Sequence, residues 1–105
     1  MTLILKINAG ELTIDEEAMI VLLNNQNVHL TSTEYNLLIE FVSNINKVIT
    51  YDDLLIRVWG DGFNGEYAYL HEYVGRLRKK IELNGVNPQN IVNVNRVGYR
   101  FDVSK

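Results

Sequence analysis

Short apolar runs, separated by turn residues, fill the first thirty positions of the chain. Leu3-Ile4-Leu5-Lys6-Ile7 is followed by Asn8-Ala9-Gly10, and Glu11-Leu12-Thr13-Ile14 by the acidic Asp15-Glu16-Glu17. Met19-Ile20-Val21-Leu22-Leu23 is apolar throughout; Asn24-Asn25-Gln26-Asn27 then breaks the run before Val28-His29-Leu30. Runs of this length bounded by Gly and Asn predict four strands of a small antiparallel sheet, two hairpins joined by the acidic connection.

At Thr31 the period changes from two to nearly four. Thr31-Ser32-Thr33-Glu34 fits a capping box, in which the Thr31 hydroxyl accepts from the Glu34 N–H and the Glu34 carboxylate reaches back. Leu37, Leu38, Phe41, Val42 and Ile45 follow at helical spacing and predict a helix over about 32–44, ending near Asn44 and Asn46. Thr50-Tyr51-Asp52-Asp53 opens a second helix by the same capping logic, with Leu54, Leu55, Val58 and Trp59 inward and Gly60 as its stop. Residues 61–65, Asp-Gly-Phe-Asn-Gly, read as a loop that Phe63 can anchor to the core.

A third helix is predicted from Glu66 or Tyr67 to about Leu83, ended by Asn84-Gly85, with Pro88 in the loop beyond. Ile91-Val92-Asn93-Val94 and Tyr99-Arg100-Phe101-Asp102 flank Asn95-Arg96-Val97-Gly98, a hairpin in which Gly98 supplies the freedom for a positive φ. The order is strands, three helices, then a hairpin. The expected fold is α+β, a winged helix-turn-helix with an N-terminal antiparallel four-stranded sheet, three helices and a C-terminal β-hairpin wing, filling residues 1–105 as a single domain.

Charge alters the picture more than composition does. The net charge is −3, which taken alone argues against a polyanionic partner. Its distribution argues the reverse. Residues 1–65 hold three Lys and Arg against nine Asp and Glu; residues 66–105 hold seven against four. The chain contains no cysteine, so disulfides and thiolate chemistry are excluded. No apolar run approaches the ~20 residues needed to span a bilayer, and the N-terminus lacks the pattern of a secretory signal. A cytoplasmic protein without a membrane partner is expected.

Four of the ten cations lie in the third helix. Leu70, Val74, Leu77 and Ile81 form one apolar stripe there, which should be core. Tyr69, Glu72, Tyr73, Arg76, Lys79 and Lys80 fall on the opposite side, and His71, Gly75, Arg78 and Glu82 on a flank. An arginine on such a face can bond guanine O6 and N7 in a major groove, while tyrosine hydroxyls and other cations meet phosphates. Glu72 would repel phosphate; it could accept from cytosine N4, or pair with Arg76 one turn on.

Four stretches together resemble the DNA-binding effector domain of OmpR/PhoB-type response regulators: LTSTEYNLLIEF (30–41), VITYDDLLIRVWG (48–60), YVGRLRKKIE (73–82) and IVNVNRVGYRF (91–101). They occur in the family's order and are spread from residue 30 to residue 101. The run YLHEYVGRLRKKIE resembles the KdpE branch, which regulates potassium transport. The resemblance implies a third helix in the major groove and a wing at the neighbouring minor groove of double-stranded DNA, with tandem dimers on direct repeats. It also implies that residues 60–66 meet RNA polymerase, and that a receiver domain and its sensor kinase control the domain. A piece of a larger regulator is expected, the alternative being a protein that stands alone.

By position, the resemblance makes Arg76 a base or phosphate contact and Arg78 a phosphate contact. It places Tyr69 and Tyr73 against DNA and Trp59 near the phosphate backbone, with packing beneath the third helix as the alternative role of Trp59. Asn95 stands where many members have arginine. Arg96 beside it is the candidate replacement, although regular strand alternation would turn its side chain to the other face. Gly75 replaces a larger residue, and Arg100 is a candidate structural hydrogen-bonding residue.

Two other functions compete. Catalysis finds little support: His29 and His71 lie on different elements, no metalloprotease, nucleophile-elbow or phosphate-loop motif is present, and no cofactor or metal is expected. Asp52-Asp53 and Asp15-Glu16-Glu17 read as a helix cap and a solvated turn rather than metal ligands. A winged-helix protein–protein interaction module is the stronger rival, because the net charge is unusual for a duplex binder.

Overall fold

In the computed structural model, residues 2–7, 10–82 and 90–103 are described. Strands β1 (Thr2–Ile7), β2 (Gly10–Asp15), β3 (Ile20–Leu23) and β4 (Gln26–Asn27) form an antiparallel sheet in that order. The fourth strand lies earlier than the predicted 28–30. Asn24 and Asn25 both have positive φ (51° and 67°), so they alone make a two-residue hairpin loop and free Gln26 and Asn27 to pair with β3. Met19 likewise leaves the predicted third strand, since its φ of 53° makes it a turn residue.

Helix α1 (Ser32–Val42) carries the full capping box: the Glu34 N–H donates to Thr31 Oγ1 at 3.2 Å and the Thr31 N–H to Glu34 Oε1 at 2.9 Å. Helix α2 (Tyr51–Trp59) starts with Thr50 Oγ1 accepting from the Asp53 N–H at 3.1 Å and stops at Gly60, whose φ of 105° a side chain would resist. Helix α3 (Tyr67–Ile81) ends two residues before the predicted limit, because Glu82 leaves helical backbone with φ −101° and ψ 123°. The predicted stop at Asn84-Gly85 and the loop around Pro88 lie outside the described residues.

The C-terminal hairpin, β6 (Ile91–Val94) and β7 (Gly98–Phe101), is joined by a strand absent from the prediction, β5 (Val48–Thr50). The sheet order is β5-β7-β6, which ties the wing to the residues just before α2. Gly98 serves a different purpose from the one expected. The left-handed residue of the turn is Arg96 (φ 65°), whereas a Cβ on Gly98 would lie 1.9 Å from the Ile49 carbonyl oxygen. Glycine is needed there so that β5 can cross close to β7.

One core joins these layers. The inner face of the first sheet contributes Leu12, Ile14, Val21 and Leu23, and α1 contributes Leu37, Leu38 and Phe41. Leu54 and Leu55 enter from α2, the four-residue stripe from α3, and Ile91, Tyr99 and Phe101 from the wing. The Phe41 ring stacks on Phe101 with centroids 6.1 Å apart and meets Tyr99 edge-on at 6.3 Å, so α1 and the wing share aromatic packing.

Candidate nucleic-acid interface

Helix α3 divides as its sequence predicts. Leu70, Val74, Leu77 and Ile81 are all 0 % exposed. Tyr69, Glu72, Arg76 and Lys79 are exposed on the other side, with Tyr73 half-buried among them. The Arg76 Nη2 lies 2.7 Å from Glu72 Oε2, and its guanidinium sits 4.9 Å above the Tyr73 ring. Arg76 is thus held flat along the helix by a carboxylate one turn back and an aromatic face beneath. Lys79 makes no hydrogen bond or ion pair among the described residues.

The tyrosines stand on an aromatic platform. Trp59, half-buried at the end of α2, lies 5.2 Å from the Tyr69 ring and 5.3 Å from Tyr73, so it packs beneath α3. Phe63 stacks on Trp59 at 6.4 Å and meets Tyr69 at 6.1 Å, anchoring the loop of residues 60–66 as expected. A hydrogen bond with Tyr69 pushes the Tyr73 phenol above its ordinary value.

The remaining cations of α3 are engaged by groups of the fold. Lys80 Nζ lies 2.6 Å from Glu34 Oε1, a carboxylate only 3 % exposed. Burial alone would raise the Glu34 pKa, but the Lys80 contact and the Thr31 N–H outweigh it and hold the carboxyl below its ordinary value. Arg78 turns toward the wing and donates to the Ile91 carbonyl from Nη2 at 2.6 Å and from Nε at 3.2 Å. Arg100 Nε and Nη2 bond the two carboxylate oxygens of Asp102 at 2.6 and 3.0 Å, the structural alternative foreseen for it. Gly75 has nothing within 4 Å of where its Cβ would be, so this chain's own packing does not require a glycine there.

Between α3 and the wing lies a cleft of about 540 Å³. Asn95 and Arg96 form one wall, in a three-residue turn at 95–97. Because Arg96 sits in that turn with left-handed backbone, strand alternation does not govern its direction, and the expected turn to the opposite face does not apply. The other wall holds Tyr51, Asp52, Tyr67 and His71, none of them foreseen from the sequence as site residues. The Tyr51 hydroxyl donates to Asn93 Oδ1 at 2.5 Å, and His71 Nδ1 bonds the Tyr99 hydroxyl. Asp52 accepts from the Gly65 N–H at 2.8 Å and from the Tyr67 hydroxyl at 2.9 Å. It ties α2 to the start of α3, where Glu66 offers no side-chain cap. Tyr51, Tyr67 and His71 are scattered along the sequence, and their rings meet only because α2 and α3 pack together.

Among the described residues no helix is long and apolar enough to cross a membrane, and no group of three His, Cys, Asp or Glu could hold a metal ion.

Comparisons with known proteins converge on one family. The family described as "Transcriptional regulatory protein, C terminal" matches residues 25–101. The KDP operon transcriptional regulatory protein KdpE of Escherichia coli K12 is 35 % identical over 92 residues, which is 88 % of this chain and 41 % of that protein. The chain therefore spans about two fifths of that regulator's length. Among solved structures, the Klebsiella pneumoniae RstA DNA-binding domain in complex with the RstA box aligns over 96 % of both chains with a TM-score of 0.83 and 30 % identity. The AdeR DNA-binding domain in complex with an intercistronic region aligns over 87 % of this chain and 93 % of that one, with a TM-score of 0.75 and 30 % identity. The chain belongs to the OmpR/PhoB-type family of winged-helix DNA-binding domains of transcriptional response regulators.

Proposed function

We propose that this chain is the output domain of a two-component response regulator and reads double-stranded DNA with α3 in the major groove and residues 95–97 at the adjacent minor groove. One observation carries the reading: the outer face of α3 presents Tyr69, Tyr73, Arg76 and Lys79 together, on a helix whose other face is locked into the core. Arg76 supplies base contacts, Tyr69, Tyr73 and Lys79 supply phosphate contacts, and Asn95 and Arg96 enter the minor groove. Trp59 supports the tyrosines from below. In the whole protein a receiver domain phosphorylated by a sensor kinase governs pairing on direct repeats, and the Phe63-anchored loop of residues 60–66 offers RNA polymerase a surface. The setting is cytoplasmic, and the domain carries out no catalysis.

The Glu72–Arg76 ion pair favours a second reading, a protein-interaction module, since it masks the cation on which base reading depends. Selection of duplexes from a random pool, followed by titration against salt, separates the two. DNA binding predicts a log–log slope of about −0.9 per phosphate neutralised. Failure to retain any duplex at low salt would leave the protein module standing.

A further inference from the structure

The start of β6 is fastened to α3 through one residue, Ile91, in addition to the His71–Tyr99 contact further along the helix. Ile91 lies in β6, an edge strand of its sheet. Its carbonyl accepts both Nε–H and Nη2–H of Arg78, and its N–H donates to Glu82 Oε1 at 2.7 Å. Arg78 and Glu82 are one helical turn apart, with Arg78 Nε 4.0 Å from Glu82 Oε2, so the backbone acceptor and donor of one residue are gripped by one pair. The Glu82 side chain is 5 % exposed and that of Arg78 26 %, and the guanidinium also lies 5.7 Å above the Tyr99 ring of β7. A guanidinium presents a rigid planar fork of donors, which an ammonium cannot reproduce. Drawing Arg78 out to a phosphate would leave the Ile91 carbonyl without this donor and Glu82 without its cation.

We infer that Arg78 and Glu82 are positioning residues that set the wing against the reading helix, and that Arg78 is not a phosphate contact of this chain. The assignment rests on the DNA-reading role proposed above. It makes the helix and the wing one rigid reader: the distance from Arg76 to Arg96 depends on how Ile91 is held at the far end of the hairpin.

The test uses this chain, a duplex it selects from a random pool, and a random-sequence duplex of equal length. Arg78→Lys keeps the charge and loses the fork; Glu82→Gln removes a negative charge and touches no DNA. Both are expected to weaken the selected duplex while leaving the random duplex and the salt slope unchanged. The loss caused by Arg96→Ala should shrink in either background, because the wing is already displaced. A thermal melt for each variant confirms that it is folded at the assay temperature. A phosphate contact gives the opposite pattern. Arg78→Lys would then bind like wild type, Glu82→Gln would bind both duplexes more tightly, and Arg78→Gln would reduce the slope by about 0.9. That pattern, or an undiminished Arg96→Ala effect, overturns the assignment. Should the wild-type chain select no duplex, the DNA-reading role itself fails before any variant is compared, and the positioning role falls with it.

Discussion

Arg76 and Glu72 form an ion pair with N and O 2.7 Å apart, at the centre of the exposed face of α3. An exposed i, i+4 pair contributes only about 0.3–0.5 kcal/mol, so a better partner displaces it readily. In the DNA-reading role proposed for α3, the pair would act as a screen that a base edge or phosphate must displace to engage Arg76. Glu72→Gln should therefore strengthen binding to all duplexes and narrow the gap between selected and random ones. Arg76→Ala should weaken the selected duplex by about 1–3 kcal/mol and relax its sequence preference. Fluorescence anisotropy titrations on both duplexes check the two outcomes; equal affinities for wild type and Arg76→Ala would remove α3 from the reading role.

Lys79 is the cation of α3 left unengaged among the described residues. Lys79→Ala should weaken selected and random duplexes alike and reduce the magnitude of the salt slope by about 0.9. Titrations across a range of salt concentrations measure this directly.

The close crossing of Gly98 and Ile49 sets a steric limit. Gly98→Ala should destabilise the fold by about 1–3 kcal/mol, the usual cost of overpacking, because the obstacle is backbone and cannot swing aside. Chemical denaturation would show the midpoint falling. An unchanged midpoint would mean that β5 is not seated against β7.

Asp52 holds the Gly65 amide and the Tyr67 hydroxyl together. In Asp52→Ala, hydrogen exchange at Gly65 should accelerate roughly tenfold, the equivalent of one ordinary hydrogen bond, while Leu54 and Leu55 keep their protection. Uniform acceleration across α2 would instead indicate global destabilisation.

Glu34 links stability to pH. Its folded-state pKa lies below the ordinary value of 4.5, so the unfolded chain takes up this proton first as pH falls. The contribution of the carboxylate is fully present above about pH 4.5 and disappears as pH drops through the lower, folded-state value. Stability should decline over that interval, and the decline should flatten in Glu34→Gln, which retains a capping acceptor for the Thr31 N–H. Unfolding midpoints measured between neutral pH and pH 3 resolve the difference.

The three helices, the first sheet and the wing were legible in the chain because their causes are local. A hydroxyl three residues before a glutamate caps a helix whatever surrounds it, and the stripe from Leu70 to Ile81 follows from the helical period alone. Arg76, Tyr69 and Tyr73 could be placed on the outer face for the same reason. Strand β5 could not be placed, since three residues become a strand only when β7 lies beside them. Nor could the partners of the cations. Arg78, Lys79 and Lys80 are consecutive cations, yet one grips the wing, one has no partner among the described residues and one neutralises a buried carboxylate. The separation from Lys80 to Glu34 is 46 residues along the chain, and no local pattern encodes a contact that exists only after α1 and α3 pack. By itself the sequence determined which faces are buried, where helices start and which family the domain joins. Tertiary structure decided which charges remain available for a partner, because a long cationic side chain spends its charge on whatever the fold brings within reach.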